Sequence, residues 1–180
     1  MKRFLISLCC SLFMLSACSL RYEQQTSMED KIPEFLFENV SFERYLSGQK
    51  SFLLEAQVLE QYKRTNESYG KNVSFYNWNE DGEVETTGSC DMLGIDPASN
   101  IYLLFNNVFV QDIPNELEIK GQHLKWNGNT EQLTTDSLEK VYIKHKDLTL
   151  EGSGFSASGI SKTFSFTGQV NGVYEDKKED

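Results

Sequence analysis

With 180 residues, 39% of them hydrophobic and 12% aromatic, the chain can build one ordinary domain with a real core and has little room for a second. Its 27 acidic residues against 17 basic ones give a formal charge of −10, which argues against a nucleic acid as partner. Such a balance is otherwise that of a solvated acidic surface.

The first elements are targeting signals. Lys2 and Arg3 precede an apolar run from Phe4 to Leu15 that ends in small residues, the pattern of a secretory signal and too short to span a bilayer. Leu15-Ser16-Ala17-Cys18 resembles a bacterial lipobox, which implies removal of residues 1–17 and lipidation of Cys18. At about 0.8 kcal/mol per buried methylene, more than one long acyl chain would hold the mature protein on a membrane surface outside the cytoplasm. Cleavage also removes Cys9 and Cys10, so Cys90 is left as the one unmodified thiol, expected to be buried and inert. Residues 18–31 are polar and aperiodic and read as a tether. Residues 175–180 read as a charged tail, which leaves a domain over 32–174.

Within the domain the hydrophobic period is mostly two. Val73 and Phe75, Val141 and Ile143, Leu148 and Leu150, and Phe164 and Phe166 each alternate with polar neighbours, as half-buried antiparallel strands do. Asp81-Gly82, Asn127-Gly128-Asn129, Gly152, Gly159 and Asn171-Gly172 read as turns between them. Many short strands with regular turns predict an all-β sandwich, roll or barrel. One segment, 51–64, is ambiguous: Phe52, Ala56, Leu59 and Tyr62 share a helical face, whereas Phe52, Leu54, Ala56 and Val58 alternate as a strand. Phe37-Glu-Asn-Val40 and Phe105-Asn-Asn-Val108 echo each other.

No motif signals an enzyme. Gly152-x-Gly154-x-x-Ala157 has the letters of a dinucleotide loop but is followed by a strand rather than a helix. Asn77 to Gly82 begins like a calcium loop, yet its twelfth position is Gly88 in place of a bidentate Glu. His123 and His145 lack metal-ligand spacing. No cofactor or metal is expected.

Taken in order, several stretches resemble the LptC family of lipopolysaccharide-export bridge proteins and its LptA and OstA-like relatives. These are Phe37 to Val40, "FLLEAQVLEQY", "NVSFYNWNEDGEVETTG", "IYLLFNNVFV", "LKWNGNTEQLTTDSLEKVYI" and "LTLEGSGFSASG". The resemblance implies a half-rolled antiparallel β-jellyroll, open at both ends, with 51–62 as a strand. It also implies a function: receiving a lipopolysaccharide-like glycolipid from the membrane subunits of an ABC transporter and passing it to an LptA-like β-jellyroll by edge-strand pairing. The acyl chains would lie in an apolar groove lined by Phe52, Leu54, Ala56, Val73, Phe75, Leu104, Val108, Val141, Ile143, Phe155, Phe164 and Phe166. Gly152, Gly154 and Gly168 would form turns or edges beside it. The usual family member is held in the inner membrane by a single helix, so the lipobox is a departure and leaves inner and outer membrane both open. Two other readings are an LptA-like middle segment and a structural or adhesive surface lipoprotein without a groove.

Overall fold

The computed structural model describes residues 32–175; residues 1–31, with the signal and Cys18, and residues 176–180 of the tail lie outside them. The described chain forms twelve strands, every pair antiparallel. The long ones are β1 (Phe35–Leu46), β2 (Gln49–Gln61), β3 (Ser68–Trp78), β4 (Val84–Asp96), β5 (Ile101–Asp112) and β6 (Leu117–Asn127). The short ones are β7 (Gln132–Thr134), β8 (Lys140–His145), β9 (Leu148–Ser153), β10 (Phe155–Ser158), β11 (Thr163–Phe166) and β12 (Val170–Tyr174). The ambiguous segment, whose Leu, Glu, Ala and Gln residues are strong helix formers, is strand β2 as far as Gln61. Its strand face, Leu54 and Ala56, is buried against β3, and tertiary packing overrides local propensity.

The short strands are halves of long ones. Both β7 and β8 pair with β6, one at each end of it. Likewise β10 pairs with β7 and β11, while β9 pairs with β8 and β12. The result is one meander across nine strand positions, ending in β1 on one side and in β11 and β12 on the other. Connections between the long strands are short, as at Asp81-Gly82, where Gly82 takes φ +79° and Asn79 Oδ1 accepts from the Asp81 and Glu83 N–H groups.

A crease runs across the sheet. Asn39 in β1, Asn72 in β3, Asn106 and Asn107 in β5, and Gly154 between β9 and β10 all have φ between +48° and +64°. Asparagine and glycine are the residues that tolerate this left-handed conformation best. One such residue in a strand breaks the alternation, so side chains on both sides of it can face inward. Gly70 and Val73, on either side of Asn72, are both buried, as are Gly152 and Phe155 on either side of Gly154. The crease is tied on its outer side: Asn72 donates to Gln57 Oε1 at 2.5 Å and Asn107 to Asp91 Oδ2 at 2.8 Å. The apolar faces of both halves of the sheet join one core, including Leu54, Val73, Leu93, Leu104, Val108 and Ile143.

Two expected turns lie inside strands. Gly152 is in β9 and Gly172 in β12. Both are glycine for space: a Cβ on Gly152 would come within 2.7 Å of the Phe166 ring, and one on Gly172 within 2.8 Å of Leu150.

Candidate functional site

Residues directly opposite in an antiparallel pair point to the same face. Their register traces rows across the inward face, perpendicular to the strands. One row runs Phe37, Leu59, Gly70, Leu93, Leu104, Leu124. A second runs Phe42, Leu54, Phe75, Gly88, Val110, Ile119, Ile143, Leu150, Gly172 from one edge of the meander to the other. A third begins Arg44, Phe52, Asn77, Thr86, Asp112, Leu117 and is more polar. The inner face is thus an apolar strip as long as the sheet is wide, with a polar margin on one side.

The structure brings all twelve proposed lining residues into one cluster. Leu54, Ala56, Val73, Leu104, Val108, Val141, Ile143 and Phe155 are buried in it, and Phe52, Phe75, Phe164 and Phe166 are half-buried against it. The strip is filled in the middle and opens towards β1. There Phe37 is 45% exposed and Phe42 59% exposed, although their row neighbours Leu59 and Leu54 are half-buried and buried. Phe35 and Phe37 stack with ring centroids 6.0 Å apart. These β1 side chains were missed as lining in the sequence. The signal for them is the alternation of Phe35, Phe37, Val40 and Phe42 with a phase change at Asn39.

At the opposite end Phe155, Phe164 and Phe166 pack as a triad with centroids 5.5 to 6.5 Å apart. Gly154 and Gly168 bring the two strands of that hairpin together: Thr167 N–H donates to Gly154 O, and Gly168 N–H to Ser153 O, each at 3.1 Å. Edge strand β12 exposes Val173 and Tyr174. Among the described residues both edges of the meander therefore carry apolar side chains and backbone groups without a strand partner, the features that let a sheet extend into a neighbour.

Charge is kept off the strip. On the outer side of the β1–β2 hairpin Glu43 accepts from Lys50 Nζ and, at 2.7 Å, from the Tyr45 hydroxyl. These two bonds, Lys50 first, hold its carboxyl below the usual range, and the same pairing raises Lys50. Lys140 and Glu151 make an equivalent pair across β8 and β9. Cys90 lies on the inner face, and burial pushes its thiol up to about 11. Among the described residues no group of three or more His, Cys, Asp or Glu is placed to hold a metal ion.

The described chain is an open, all-antiparallel β-sheet with an apolar inner strip, consistent with a jellyroll-like transport fold. The profile of the family described as "Lipopolysaccharide-assembly, LptC-related" matches residues 4–175. The chain belongs to this LptC family, a transport family of the periplasmic cell envelope and not an enzyme family. It is also 25% identical over 173 residues to an uncharacterized protein of Treponema pallidum (strain Nichols), covering 96% of this chain and 83% of the relative.

Proposed function

We propose that this protein is a lipid-anchored bridge component, held through Cys18 on the periplasmic face of the envelope. It receives a lipopolysaccharide-like glycolipid from an ABC transporter in the inner membrane and passes it to a second β-jellyroll. The observation that carries this reading is the apolar strip that crosses the whole sheet and opens at β1. Acyl chains gain about 25 cal/mol per Å² of apolar surface buried, so a strip of this kind favours their entry. Family membership supports lipopolysaccharide as the class of cargo.

The lining would be the twelve inward residues together with Phe35, Phe37 and Phe42. The middle of the strip is closely packed, so passage along it requires the two halves of the sheet to part about the crease. Phe155, Phe164 and Phe166 would form the wall at the exit end. The handover would use the free edges of β11 and β12, paired to the next domain strand to strand. Replacing Phe75 or Phe166 with a photo-crosslinking amino acid should label a glycolipid in living cells. Labelling of protein alone, or of nothing, contradicts the carrier reading.

A further inference from the structure

Arg44 is the one lysine or arginine on the three inward rows, and it stands at their open end. It is opposite Phe52 in the register, with its guanidinium carbon 5.5 Å from the centre of that ring. The register shifts between Arg44 and Tyr45, and Ser51 is the extra residue on β2 at that bulge. The buried Ser51 hydroxyl donates to the Arg44 carbonyl at 3.1 Å and accepts from Arg44 Nε at 3.3 Å. One hydroxyl therefore fixes both the backbone and the side chain of the arginine, while Phe52 supports its flat face.

Among the described residues no carboxylate pairs with this fixed arginine. Glu43, its chain neighbour, faces the other way and is taken by Lys50 and Tyr45. Asp112, the acid of its own row, lies three strands beyond β2 and accepts from the side chain and backbone of Asn115. Among the described residues Ser51 and Phe52 are the partners of the Arg44 side chain. Among the described residues neither terminal amino group of this exposed guanidinium has a hydrogen-bond partner, in a chain with an excess of acids. A guanidinium is a fork matched to two oxygens of one anion, and it binds phosphate bidentately. Two strand positions along lies the exposed ring of Phe42 on the same face.

We propose that Arg44 is a headgroup-binding residue: it takes the phosphate of an acylated lipid whose chain lies on Phe42 and enters the strip. The assignment rests on the carrier reading and deepens it by naming the anionic group and the end at which it is held. A phosphate at the polar margin and an acyl chain on the apolar row match the order of these two residues along β1. A lipid so held enters chain first and keeps its headgroup outside the roll.

The test uses the full chain in a nonionic detergent with four probes: dihexanoyl phosphatidic acid, dihexanoylglycerol, dihexanoyl phosphatidylcholine and inorganic phosphate. Binding is read by titration of tryptophan fluorescence, and folding by thermal melting. Phosphatidic acid should bind wild type more tightly than the other three, and Arg44→Gln should weaken it about tenfold or more, as loss of a charge-assisted bidentate contact does. Binding of dihexanoylglycerol should not change. Arg44→Lys should fall between, because it keeps the charge and loses the fork. If Arg44→Gln lowers the melting temperature, Ser51→Ala gives the second reading: it frees the arginine without removing it and should weaken phosphatidic acid severalfold. Equal binding of phosphatidic acid by wild type, Arg44→Gln and Ser51→Ala overturns the assignment while leaving the carrier reading intact. Inorganic phosphate binding as tightly as phosphatidic acid also overturns it, since the site would then be a free-phosphate site. Failure of wild type to bind any acylated probe overturns the carrier reading itself.

Discussion

The ring of Phe166 stands 2.7 Å from where a β-carbon on Gly152 would be, so one strand's glycine is the seat of another strand's phenylalanine. The same ring touches Phe155 and Phe164, and the four residues join the edge hairpin to the core. Gly152→Ala should therefore destabilise the domain by about 1–3 kcal/mol, the usual range for overpacking a tight site. In a Phe166→Ala background the same change should cost clearly less. A double-mutant cycle by urea unfolding checks this; additive effects contradict the seating.

The crease makes a different prediction. Asn107 holds φ +50° in the middle of β5, where β-branched residues are strained. Asn107→Val should cost about 1–2 kcal/mol or more, whereas Asn107→Gly should cost less, losing chiefly the bond to Asp91. Chemical denaturation of the two variants distinguishes them. If valine is tolerated as well as glycine, the crease is not set by the left-handed residue.

Cys90 is 4% exposed and its thiol is pushed up to about 11 from 9.0 by burial. At pH 8 the thiolate fraction in the folded protein should be about a hundredfold lower than in the unfolded chain, since each unit of pKa is tenfold. Iodoacetamide should modify Cys90 in urea and hardly at all in buffer. The sign for stability follows: the contribution of the neutral thiol is fully present below pH 9 and is lost as pH rises from there towards 11. Cys90→Ala should flatten that part of the stability profile. Rapid modification of the native protein at pH 8 would show that this part of the core opens readily.

Phe155 and Phe42 both face inward, yet one is 1% exposed and the other 59%. Phe155→Ala should cost about 3–5 kcal/mol, as large-to-small changes in a closed core do. Phe42→Ser should alter stability by no more than about 0.5 kcal/mol, as at other exposed positions. Thermal melts of the pair locate the boundary between packed core and open strip. Equal effects would remove the distinction.

Much of the architecture was legible. Period-two alternation at Val141 and Ile143, and at Phe164 and Phe166, marks strands whose inward residues are those the structure buries or half-buries. Glycine was read less well, because a turn and a close approach use the same residue. Gly82 serves the first purpose, and Gly152 and Gly172 the second. The echo between Phe37-Glu-Asn-Val40 and Phe105-Asn-Asn-Val108 was visible, but its meaning was not. In both, and at Asn72-Val73, an asparagine with positive φ is followed by an inward valine, so each Asn-Val pair marks the crease. A strict period of two cannot cross such a point. For that reason the alternation of β1 was not followed through Asn39, and the open end with Phe35, Phe37, Phe42 and Arg44 went unread.

A carrier of this kind holds its lipid on the inward face of the roll and not on the outer face. Ser41 and Phe42 are neighbours on β1 and point to opposite faces, across from Glu55 and Leu54 respectively. Each is exposed enough to accept a bulky photo-crosslinker. After irradiation of cells carrying one or the other, mass spectrometry of the purified protein should find a glycolipid adduct at position 42 and little or none at 41. Equal labelling at the two positions, or lipid at 41 alone, would contradict the claim.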